Sequence, residues 1–143
     1  MSPAEVIASK GSQMESDTEP DPETILKGIA ESRGNFPTLP AFQVLANEDP
    51  AFMAAFDKVS RLTLFSDESH RRELSNLTRQ LIAIALLASR EDEIIREHLK
   101  RALDLGATRR QIIEALEVGL HITGAPTLRF GLDMLAGIED ASS

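Results

Sequence analysis

Apolar residues along this chain recur at three- and four-residue intervals, and no stretch alternates long enough to argue a strand. The pattern predicts an all-α domain with helices marked by recognisable start and stop signals. Asp21-Pro22 sets a capping residue before a proline suited to a first helical turn, and Ile25 and Ile29 follow as a short stripe that stops near Gly34. Pro37 and Pro40 mark a connector, and Ala41 to Asn47 reads as a second helix. Asp49-Pro50 repeats the start signal, with Phe52, Phe56, Val59 and Leu62 at helical spacing behind it.

The second half is patterned more strongly. A helix from about Ser75 to Ser89 is apolar nearly all round past Gln80, which predicts the central, buried helix. Another is predicted from Glu91 to Leu105, ending at Gly106. Thr108 with Gln111 three places on forms a capping box for the next, which ends at Gly124, and Pro126 opens a last helix with Leu128, Leu132 and Leu135. The short turn at Gly106-Ala107-Thr108 favours a helical hairpin in this C-terminal part. Residues 1–20 have little apolar weight beyond Val6, Ile7 and two Met, and read as a disordered tail ahead of one helical domain over 21–140.

Composition narrows the chemistry. The chain has 143 residues, enough for one hydrophobic core, and with six Phe and no Trp or Tyr that core must rest on Leu, Ile and Ala. It contains no cysteine, which excludes disulfides, a thiolate nucleophile and Cys-ligated metal. A net charge of −8 argues against a nucleic-acid partner, the best candidate basic patches being Arg71-Arg72 and Arg109-Arg110 among acidic neighbours. The longest apolar run, Leu81 to Ala88, is far too short for a bilayer, and the N-terminus shows no secretory pattern. A cytoplasmic protein is the expectation.

The residues able to titrate near neutral pH are then His70, His98 and His121. His70 lies in a polar segment and is expected to be inert. His98 follows Ile94 and Ile95 by four and three residues, on what reads as a core-facing stripe. His121 reads as lying on the apolar stripe of the next helix, four residues after Glu117, so that the two side chains can meet. Neither histidine has a partner at metal-binding helical spacing, so no metal is expected. No cofactor-binding signal is present either.

Several pieces, in order, carry a resemblance: Arg79-Gln80-Leu81-Ile82, Arg90-Glu91-Asp92-Glu93, His98-Leu99 with Ala102-Leu103 and Gly106-Ala107-Thr108, then Ile112 with Glu114, and Gly124 with Pro126. Together they resemble the carboxymuconolactone decarboxylase family, within the larger alkylhydroperoxidase-D-like group, over roughly residues 22 to 137. The peroxidase branch of that group has a Cys-x-x-Cys followed by a His. Here Glu91 and Ile94 stand where the cysteines belong, so the resemblance implies no peroxidase activity. The decarboxylase branch keeps the His, which falls on His98.

What the resemblance implies is an alkylhydroperoxidase-D-like helical fold assembled as a homo-trimer or homo-hexamer. It also implies a cofactor-independent decarboxylase or isomerase acting on a small carboxylated lactone or oxo acid. His98 would be the general acid/base, with His121 and Glu117 as a second proton-transferring pair. Gln80 would donate a hydrogen bond in the pocket, and Arg79 or Arg129 would hold the substrate carboxylate. The position after Arg79, often Glu in the wider group, is Gln80, which cannot titrate. That change supports a rival of another class, a non-catalytic oligomeric scaffold or small-ligand-binding protein of the same fold.

Overall fold

The computed structural model describes residues 18–33, 39–66 and 71–143. Among these there are seven helices and no strand: α1 (Pro22–Arg33), α2 (Pro40–Glu48), α3 (Pro50–Thr63), α4 (Asn76–Ser89), α5 (Ile95–Asp104), α6 (Arg109–Thr123) and α7 (Ala125–Ala141). Most of the tail, the Gly34–Thr38 connector and His70 lie outside the described residues. No described helix is long and apolar enough to cross a membrane.

The start signals work as the residues suggest. Asp21 Oδ2 accepts the backbone N–H of Thr24 at 2.9 Å, and Asp49 Oδ1 that of Phe52 at 3.0 Å. Ser75 caps α4 through the N–H of Thr78, and the Thr108–Gln111 capping box is complete in both directions.

α4 is the centre of the larger cluster and contacts α5, α6 and α7. Ile84 and Ala88 of α4 close a core with Ile95 and Leu99 of α5, Ile112 and Leu116 of α6, and Leu135 of α7, each at most 1% exposed. Burying a side chain of that size stabilises by about 1.5–3 kcal/mol, so this group is the main support of the fold. α6 and α7 form the C-terminal hairpin, joined through Gly124, whose φ of 101° is a conformation that side chains disfavour. They approach closely because Gly131 has no Cβ; one would collide with the Leu116 side chain.

α1, α2 and α3 form a smaller cluster around Ile29, Ala46 and Met53. It is tied to α4 mainly by the chain just after α3. Asn76 Nδ2 donates to the Ser66 carbonyl at 2.7 Å, and Ser66 Oγ donates to Asn76 Oδ1 at 3.0 Å.

Two details differ from the sequence reading, and α3 adds a third feature that periodicity leaves open. α5 begins at Ile95, not Glu91, because α4 closes with Glu91 at φ 52° while the N–H groups of Glu91 and Asp92 return to the carbonyls of Ala88 and Leu87. α5 packs on α4 and α7 rather than pairing with α6, so His98 and His121 do not share a hairpin. On α3 the inward face is Pro50, Met53, Asp57 and Ser60, while the apolar series Phe52, Phe56 and Val59 faces outward.

Candidate active site

The buried polar groups of the larger cluster meet where α4, α5 and the end of α3 come together. Gln80 is one turn into α4 and fully buried, and His98 is only 6% exposed on α5. Gln80 Nε2 donates to the Leu64 carbonyl at 3.0 Å, and Gln80 Oε1 lies 2.7 Å from His98 Nδ1. Only the NH₂ end of an amide can face a carbonyl, so the Leu64 contact fixes Oε1 as an acceptor. His98 Nδ1 must then carry the proton. In the neutral ring this leaves the lone pair on Nε2, the tautomer suited to accept a proton.

The surroundings keep that ring neutral. Burial and, secondarily, the Arg33 cation push the His98 pKa down to about 4, against a smaller upward pull from Asp92. Arg33 sits 4.8 Å over the Phe65 ring, and that ring lies 6.3 Å from the imidazole, centroid to centroid. Arg33 is itself held by an ion pair with Asp57 at 3.2 Å, and Asp57 also takes Arg61 Nε at 2.7 Å.

His98 lines an open cleft of about 340 Å³, with Thr63, Leu64, Arg79, Ile82, Ala83, Leu86 and Leu87 as the other described walls. Arg79 donates to the Leu74 carbonyl at 2.6 Å, to the Thr63 carbonyl and to the Ser66 hydroxyl. All of these acceptors are neutral, and among the described residues Arg79 has no carboxylate in ion-pair reach. A positive charge therefore stands uncompensated beside a neutral imidazole, a setting that favours an anion.

The expected site residues separate into two groups. His98, Gln80 and Arg79 come together, with Gln80 behind His98 and absent from the cleft wall, its NH₂ already given to Leu64. His121, Glu117 and Arg129 are elsewhere: all three are exposed, on α6 and α7, and none lines the cleft. Glu117 adds its charge to the environment of Arg110, and no hydrogen bond joins it to His121 among the described residues. No group of three or more His, Asp or Glu is placed to hold a metal ion among the described residues.

The sequence reading passed over Arg33, Leu64 and Phe65, and gave Asp92 no part in the site. A backbone carbonyl carries no sequence signal, and Arg33 reads as an ordinary cation in the last turn of α1. Phe65 offered the one usable hint, an aromatic residue just past a helix end in a chain with few of them.

Comparison with known proteins agrees with this architecture. The model of the carboxymuconolactone decarboxylase family matches residues 50–136. A carboxymuconolactone decarboxylase candidate from Burkholderia xenovorans LB400 superposes with a TM-score of 0.71 at 22% identity, covering 84% of this chain and 95% of that one. A carboxymuconolactone decarboxylase family protein from Legionella pneumophila, in its apo form, gives 0.61 at 22% identity, covering 85% and 97%. No curated protein matches.

Proposed function

The chain belongs to the carboxymuconolactone decarboxylase family, and on that premise we propose that it is a cytoplasmic, cofactor-independent enzyme that moves protons on a small carboxylated lactone or oxo acid. The observation that carries the proposal is the neutral His98, locked by Gln80 in one tautomer at the wall of a cleft that also holds Arg79. A substrate carboxylate pairs with Arg79. The lone pair on His98 Nε2 takes a proton from the carbon beside the substrate carbonyl and returns it at another carbon, which is isomerisation. In the lyase version His98 first takes a proton from solvent as the anionic substrate binds; the bond to the departing carboxyl then breaks, its electron pair forms an enolate, CO₂ leaves, and the imidazolium delivers that proton to carbon.

The low pKa of His98 is a property of the free protein. A bound anion favours the imidazolium and opposes Arg33, so substrate binding itself brings the ring closer to a useful basicity. Peroxidase chemistry is not part of the proposal, because no cysteine is present to carry a thiol relay. Assembly into a homo-trimer or homo-hexamer is proposed on the family relationship.

The test is an ultraviolet assay of the purified protein against carboxylated lactones and β-oxo acids, with His98→Ala alongside. Turnover by the wild type and a loss of about 10²–10⁴-fold in the variant is the expected result. Equal turnover by both proteins sinks the assignment of His98. A second reading, a non-catalytic small-ligand binder, draws on Gln80, which cannot titrate where a carboxylate would. Carboxylate binding with no turnover across the whole panel would favour it.

A further inference from the structure

Taking the acid/base reading of the cleft as its starting point, the geometry points to a substrate class: we infer that the ligand is a monocarboxylate with a hydrocarbon body, its reactive carbonyl close to the carboxylate. The walls of the cleft follow a polar-to-apolar order along α4. Arg79 stands near the start of that helix, and Gln80, which holds His98, is its neighbour in sequence. Ile82 and Ala83 follow, then Leu86 and Leu87. At 1.5 Å per residue the last pair lies roughly 11 Å further along the helix than Arg79. The cleft thus has a charged end, where the imidazole also sits, and an aliphatic end.

Charge sets the number of carboxylates. Arg79 is the sole cation among the described wall residues, and His98 is neutral. A first carboxylate is satisfied at Arg79. A second one, further along, would meet Ile82, Leu86 and Leu87, and these described walls offer no donor to replace its water. Volume sets the size: about 340 Å³ holds roughly ten non-hydrogen atoms, counting about 30 Å³ for each. Because the reactive imidazole is at the charged end, chemistry falls within a few bonds of the carboxylate, and the remaining carbons lie along α4.

The test uses unreactive ligands, so that it does not depend on turnover. Straight-chain alkanoates from butanoate to decanoate, and α,ω-dicarboxylates of matching length, are titrated calorimetrically into the full-length protein. Affinity for the monocarboxylates should tighten about three- to fourfold per methylene until the cleft is filled. Each dicarboxylate should bind at least tenfold more weakly than the monocarboxylate of the same length. Leu86→Asn, at a position 62% exposed, should flatten the length dependence, weakening decanoate far more than butanoate. Arg79→Gln should weaken all chain lengths alike; since Arg79 also ties Leu74 and Thr63, the Leu86 variant keeps the test decisive if that protein folds poorly.

Dicarboxylates binding as tightly as monocarboxylates, or an affinity that ignores chain length, would overturn the inference. The acid/base reading fails by a different result, no turnover of any oxo acid by a protein that still binds alkanoates in this graded way.

Discussion

The corner beneath α3 and the outer face of α6 each hold a histidine on a helix rich in aliphatic residues, and they have opposite fates. His98 is 6% exposed on the inward face of α5, with Phe65, just after α3, beside its ring and Leu64 holding the Gln80 amide that bonds it. His121 is exposed, and its neighbours on α6, Val118 and Ile122, are 66% and 76% exposed. The buried faces of the two helices already separate the cases: His98 lies among Ile95, Leu99 and Ala102, the inward residues of α5, whereas His121 falls off the α6 face made by Ile112, Leu116 and Gly119. What sits above the ring adds to this: the chain just after α3 sets Phe65 beside His98, and no described helix covers His121. A perturbed, oriented imidazole is therefore a property of the corner, and substitutions there should behave unlike those on α6.

The largest effect is expected at Gln80. Gln80→Leu keeps the volume but removes both hydrogen bonds, leaving the Leu64 carbonyl and His98 Nδ1–H buried without the partner that now serves them. Each orphaned buried group costs about 1–3 kcal/mol, so denaturant unfolding should show a loss of about 2–5 kcal/mol. Gln80→Glu tests orientation separately. A carboxylate against Nδ1 should raise the His98 pKa, visible in a histidine NMR titration. An unchanged titration in Gln80→Glu would remove Gln80 from its positioning role.

Acidification should produce the next largest effect. The folded pKa of His98 is about 4, below the value near 6.5 expected in the unfolded chain. Between those values the unfolded state binds the proton and the folded state resists it. The stability owed to neutral His98 is therefore complete above about pH 6.5 and is lost as pH falls toward about 4. Each tenfold difference in proton affinity is worth about 1.4 kcal/mol, which sets a ceiling on that loss of about 3 kcal/mol. Followed between pH 6.5 and 5, above most carboxylate titrations, wild type should lose stability faster than His98→Asn. Identical slopes would mean that His98 is not held neutral by the fold.

The same contrast explains how much was legible in the sequence. Helix starts were readable because Asp21, Asp49, Ser75 and Thr108 act on the N–H groups two or three residues on, a local effect. The face of a helix that becomes buried is not local. Phe52, Phe56 and Val59 have a regular apolar spacing that correctly marks a helix, yet Met53 is the residue α1 and α2 bury, while Phe52 and Val59 face outward and Phe56 only flanks Phe42 of α2. His121 follows the same logic. Of the site, His98, Gln80 and Arg79 were recoverable from residue type and resemblance, but the direction of the Gln80 amide was not. It is set by a backbone carbonyl sixteen residues away in the chain.

The smallest expected effect is the sharpest control. His121→Ala removes an exposed ring that makes no hydrogen bond among the described residues and lines no part of the His98 cleft. Surface changes of this kind normally stay within about 0.5 kcal/mol, and turnover should match wild type within twofold. The value of the experiment lies in its pairing with His98→Ala: one substitution type on two consecutive helices, at a ring that is buried and bonded to Gln80 and at one that is exposed. A large loss of activity in His121→Ala would show that the outer face of α6 takes part in the chemistry and would end the claim that the corner beneath α3 is the whole proton-transfer site.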